Sequence, residues 1–95
     1  MVKVIWTEFA IDDLKSIHAF ISKDSKSYAD KFIGKIISKV DQLEKFPKSG
    51  RIVPELEIET IRELIEGNYR IVYKINQDYV RIVRVHHSSR QLLAD

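Results

Sequence analysis

The sequence predicts an α+β domain in which an antiparallel helical hairpin packs on one face of a mainly antiparallel sheet. Three observations carry this. Two apolar stripes at helical spacing fill the first half of the chain, and three strand-like runs fill the second. The length of 95 residues leaves room for one hydrophobic core and so for one domain, residues 1–95. An apolar fraction of 44% beside 32% charged residues excludes a disordered chain.

The elements follow in order. Val2-Lys3-Val4-Ile5-Trp6 is β-branched and aromatic, and reads as a strand. Thr7 is placed to cap a helix, with Glu8 in the first turn, where the helix dipole favours an anion. Ala10, Leu14, Ile17 and Ile21 form its apolar stripe, with Asp12, Asp13 and Lys15 on the opposite side. Serines and charges break the pattern over residues 22–27, and Ser27 with Asp30 matches a capping box. A second stripe runs Ala29, Phe32, Ile33, Ile36, Val40 and Leu43, until Pro47 stops it. This predicts a helix of about 18–20 residues, folded back on the first across a short break. Residues 46–54 read as a loop, followed by Glu55, Glu57 and Glu59 alternating with Leu56 and Ile58. Residues 60–66, 69–75 and 79–86 read as strands, joined by Gly67-Asn68 and Asn76-Gln77-Asp78.

A two-residue turn at Gly67-Asn68 fixes the pairing of the first hairpin. Leu64, Tyr69, Ile71, Tyr73 and Ile75 then share the core face. Ile61, Glu63, Ile65, Arg70, Val72 and Lys74 share the other, where Arg70 and Glu63 are diagonal neighbours able to pair. That second face is expected to stay open and to be the natural place for a partner. The net charge of +2 hides a division: residues 55–66 hold five acids and only Arg62, whereas residues 69–94 hold Arg70, Lys74, Arg81, Arg84 and Arg90 against Asp78 alone. Such a basic sheet suits phosphates or an acidic peptide, or simply sets its charges in water. Lys31, Lys35 and Lys39 fit a solvated helix face.

Several chemistries are excluded or unsupported. There are no cysteines, hence no disulfides or thiolate metal sites. His86 and His87 are adjacent, and neighbours in a strand point to opposite faces, so no metal site is expected. No glycine-rich phosphate loop and no glycine-flanked serine elbow occur, so no cofactor is expected. No signal-peptide pattern and no apolar run of about 20 residues is present, which predicts an intracellular domain away from membranes. Acid–base cleavage of RNA needs a base near the 2′-hydroxyl, a cation on the phosphate and an acid for the leaving oxygen. Glu55, Arg70 and His87 are the right residue types, but they come from separate segments whose spacing does not assemble them.

One ordered set of motifs carries a resemblance. Trp6 with Asp13-Leu14 and Ile17 resembles the opening of the RelE/ParE superfamily of type II toxin–antitoxin toxins. Phe46-Pro47-Lys48-Ser49-Gly50-Arg51 and Val53-Pro54-Glu55 resemble its helix-to-sheet connection. Arg62-Glu63-Leu64, Tyr69-Arg70-Ile71-Val72-Tyr73 and Val85-His86-His87-Ser88-Ser89-Arg90 resemble its terminal strands and exit. The resemblance implies a helical hairpin on an antiparallel sheet, a cytoplasmic protein, and a cognate antitoxin partner. The connection and exit look most like the ParE-like branch, whose members inhibit DNA gyrase by binding. No tyrosine follows His87, where RelE-like nucleases usually carry one. The alternative the resemblance implies is ribosome-dependent mRNA cleavage, with Glu55 as general base, Arg70 holding the phosphate and His87 as general acid. A third is an antitoxin-binding module without toxicity. Arg70, Arg81, Arg84 and Arg90 are the expected partner contacts.

Overall fold

A computed structural model describes residues 1–88. Arg90 and the Leu92-Leu93 pair lie outside the described residues. The elements are β1 (Lys3–Trp6), α1 (Glu8–Ser22), α2 (Lys26–Asp41), a short 3₁₀ turn (Gln42–Glu44), β2 (Arg51–Ile52), β3 (Ile61–Glu66), β4 (Tyr69–Ile75) and β5 (Tyr79–His87). The strands form one sheet in the order β1-β5-β4-β3-β2. β3, β4 and β5 are the expected antiparallel meander. β1 runs parallel to β5, which makes the sheet mixed. Residues 51–52, expected in a loop, pair with β3 as a two-residue edge strand.

Each helix begins where a side chain accepts an amide N–H that the first turn leaves without a carbonyl. Thr7 Oγ1 accepts from the Ala10 N–H at 3.1 Å and donates to the Ile82 carbonyl at 2.8 Å, so one hydroxyl caps α1 and ties it to β5. α2 is capped by Ser25, which accepts from the Tyr28 N–H, and not by the predicted Ser27. Asp30 instead meets His18 at 2.7 Å and Lys26 at 3.0 Å, clipping α1 to α2. α2 spans 16 residues, shorter than expected, because the last stripe position, Leu43, sits in the 3₁₀ turn that follows.

The core lies between the hairpin and one face of the sheet. Ala10, Ile17, Phe32, Ile36, Val40 and Leu43 meet Ile71, Tyr73, Val80, Ile82 and Val85. Burying each of the larger aliphatic side chains contributes roughly 1.5–3 kcal/mol. The Gly67-Asn68 turn gives the expected register, with Glu66 opposite Tyr69 and Leu64 opposite Ile71. Only Gly67 takes positive φ there (57°), and Phe32 packs close behind it, so a side chain would be both strained and crowded.

One irregularity was not legible. The β4–β5 register shifts between Val72 and Tyr73: Tyr73 faces Ile82, whereas Val72 faces Arg84, leaving Val83 as an extra residue. Beyond this bulge every β5 side chain changes face. Val85 is thereby turned into the core.

Candidate functional site

The sheet face turned away from the helices carries two contrasting regions. The first is built on Arg70, which is buried with its side chain 7% exposed. Its Nε donates to Glu63 Oε1 at 2.6 Å, the pairing expected from the hairpin register. Its Nη1 and Nη2 donate to the two Glu55 oxygens at 2.6 and 2.7 Å, a bidentate fork. Glu63, fully buried, turns its other oxygen to Arg51 Nε at 2.6 Å. Two arginines and two glutamates thus form a ladder of formal charge zero. A tight turn brings Glu55 over the sheet: the Leu56 and Glu57 N–H groups donate to the Val53 carbonyl, and Glu57 takes φ 53°. Part of the face expected to be open is therefore covered by residues 53–57. The Glu55 hydrogen bonds, with Glu63 adding to them, raise the Arg70 pKa further above its ordinary value, so it stays charged.

The two histidines exchange places because of the bulge. An uninterrupted β5 puts His86 opposite Tyr69 and His87 on the Arg70 face; with Val83 looped out, His87 lies opposite Tyr69 and His86 opposite Arg70. The His87 ring packs edge-on to Tyr69, with centroids 5.3 Å apart. Glu55 and Arg70 are brought together, and His87 is on the opposite face of the sheet from them. His86, which sequence reasoning set aside, is the imidazole beside the ladder. Burial, and then the Arg70 charge, push its pKa below the ordinary histidine value. Its Nε2 is buried with no hydrogen-bond partner among the described residues. Only the position of the bulge distinguishes the two histidines, and a run of Val80, Ile82, Val83 and Val85 gives no signal of it.

Arg84 sits at the stretch of β5 edge that extends past the end of β1. It pairs with Asp13 through Nε at 2.8 Å and Nη2 at 3.0 Å, which raises its pKa. The same Asp13 carboxylate accepts the Val85 N–H at 2.8 Å. Asp13, expected on the outer side of α1, instead faces β5 and satisfies an edge amide that lacks a strand partner. Asp13, Ser16, Phe20, Arg84 and His87 line a groove of about 200 Å³ there.

The second region is basic. Arg81 lies directly opposite Lys74, with Ile5 of β1 on its other side and Ile61 of β3 beyond Lys74. Lys74 and Arg81 are exposed, and neither side chain has a hydrogen bond or ion pair among the described residues. Of the four expected contact residues, then, Arg81 is open, Arg84 is paired, Arg70 is buried, and Arg90 lies outside the described residues. No group of three metal-ligating side chains occurs among the described residues. No helix among them is long and apolar enough to cross a membrane.

A helical hairpin on one face of a five-stranded sheet is consistent with the α+β fold that the resemblance to the RelE/ParE toxins implies. The chain matches the family described as the ParE toxin of the type II toxin–antitoxin system parDE over residues 4–92, and it belongs to that family. It is 33% identical over 91 residues to Toxin RelE2 of Caulobacter vibrioides, a match covering 95% of this chain and 99% of that protein. Among solved structures, it resembles the chromosomal ParDE system from P. aeruginosa with a TM-score of 0.75, at 21% identity, over 92% of this chain and 96% of that one. It also resembles the RelBE2 toxin–antitoxin complex from Mycobacterium tuberculosis with a TM-score of 0.62, at 21% identity, over 90% and 96%. The chain is a type II toxin–antitoxin toxin of the ParE/RelE superfamily.

Proposed function

We propose that this toxin arrests growth in the cytoplasm by binding DNA gyrase, without cutting RNA, and that a cognate antitoxin neutralises it. The observation that carries the reading is the condition of Arg70. An arginine that holds a scissile phosphate needs donors free for the anion and a positive field around it. Here the guanidinium is forked onto Glu55 and bonded to Glu63, in a cluster whose charges cancel. The candidate acid, His87, packs on Tyr69 across the sheet from that cluster. Glu55 and Arg70 thus meet but spend their charges on each other, and His87 stands on the other face, which favours binding over catalysis. Membership of the ParE family supports gyrase as the target. The neighbouring folds, described as a toxin–antitoxin system and a toxin–antitoxin complex, support a protein antitoxin.

Tightly controlled expression tests this. The expected phenotype is filamentation with DNA-damage signalling, and purified protein should block gyrase supercoiling. Glu55→Gln and His87→Gln should remain toxic. Rapid translation arrest with cuts in the ribosomal A site, abolished by either substitution, would replace gyrase binding with mRNA cleavage. Antitoxin binding without any growth arrest would leave a non-toxic interaction module.

A further inference from the structure

Like charges directly opposite in an antiparallel pair repel, and sheets ordinarily avoid them. Lys74 and Arg81 occupy such a position in the middle of the sheet. No acid comes to them among the described residues, although five acids lie in residues 55–66 of the same chain. Four of those acids are directed elsewhere: Glu55 and Glu63 to Arg70, Glu59 to Lys48 and Arg62, and Glu66 to Lys39. The cation pair is bracketed by Ile5, 43% exposed, and Ile61. The resulting row, isoleucine–arginine–lysine–isoleucine, crosses four strands and spans roughly 14 Å at the usual strand spacing. At its β1 end lies a recess of about 570 Å³ lined by Met1, Lys3, Ile5, Asp78 and Tyr79.

We propose that this row is a docking site for an acidic segment of the antitoxin, which sets carboxylates on Lys74 and Arg81 and an aliphatic side chain into the recess beside Ile5. The proposal rests on the toxin–antitoxin assignment and is independent of the toxin's target. Charge complementarity selects an anion. The aliphatic flanks select a protein over a phosphate backbone, which would leave Ile5 and the recess uncovered. The unrelieved repulsion of Lys74 and Arg81 in the free toxin is a stability cost that the bound acid removes.

Lys74→Glu tests this with two readouts of opposite sign. It creates a cross-strand ion pair with Arg81, so Tm should rise by a few degrees, which also establishes that the variant folds. Affinity for the product of the adjacent antitoxin reading frame, measured by calorimetry, should fall at least tenfold, and the wild-type affinity should weaken with added salt. Ile5→Ser should weaken binding without altering that salt dependence. Equal antitoxin affinity for wild type and Lys74→Glu overturns the docking site while leaving the toxin–antitoxin assignment intact. No antitoxin binding to the wild type overturns both. A labelled 12-nucleotide RNA that binds the wild type tightly and loses binding in Lys74→Glu, with antitoxin affinity unchanged, assigns the row to nucleic acid instead.

Discussion

Tyr73 has the largest fully buried side chain in the core, and its hydroxyl also organises a loop. That hydroxyl accepts the Gly50 N–H at 2.9 Å and donates to the Pro47 carbonyl at 2.8 Å. Burial raises its pKa, which keeps the proton available for donation. A Cβ on Gly50 would stand 2.6 Å from this hydroxyl and 2.6 Å from the Glu63 carbonyl, so the close approach requires glycine. Tyr73→Phe preserves the ring but leaves the Gly50 N–H buried without a partner. It should destabilise the fold by about 1–3 kcal/mol in urea denaturation, with an unchanged m-value. The apolar alternation of Tyr69, Ile71, Tyr73 and Ile75 made the burial of this ring legible. The role of its hydroxyl was not, because Pro47 and Gly50 meet it only through the tertiary path of the connection between α2 and β2.

At the level of elements, what could be read followed from local rules, and what could not depended on one residue. Helix stripes, the Gly67-Asn68 turn and the Arg70–Glu63 pair are consequences of period and register, and the structure has them. The capping-box pattern pointed to Ser27 at the start of α2, but the helix is capped by Ser25, and Asp30 meets His18 instead. β2 has only two residues and makes no pattern. The Val83 bulge is the costliest omission, since one looped-out residue exchanges the faces of His86 and His87 and turns Arg84 away from the core. Asp13 is the counterpart of that bulge at the β5 edge. Asp13→Ala removes the acceptor of the Val85 N–H and the partner of Arg84. The expected loss is about 1.5–3 kcal/mol, with hydrogen exchange at the Val85 amide accelerated more than at Ile71 in the sheet interior.

For the molecule as a whole, two groups bind protons less readily folded than unfolded. The Asp30 carboxyl is held below its ordinary pKa by His18 and then Lys26, and the His86 imidazole is held below its own by burial and Arg70, with Arg84 adding and Glu63 opposing. In both cases the unfolded chain takes up the proton first as pH falls, so stability increases with pH through each window. The His86 contribution is lost as pH falls below the ordinary histidine value of about 6.5, and the Asp30 contribution only at lower pH, below about 4. Urea midpoints should therefore decline from pH 7 to pH 5, and His86→Gln should flatten that decline. A midpoint that rises over this range would contradict the sign.

The parallel pairing of residues 3–6 with residues 79–82 joins the beginning of the described chain to its final strand. During synthesis, the opening strand waits for a neighbour made more than seventy residues later. The sheet centre, β4 with β5, likewise pairs only after both helices and β3 have been made. A nascent chain that ends before Tyr79 holds the residues of both helices and of β3 and β4 but neither Arg81 nor a neighbour for β1. The order of assembly therefore leaves the sheet, and the pairing of Arg81 with Lys74 across it, incomplete until β5 has been made.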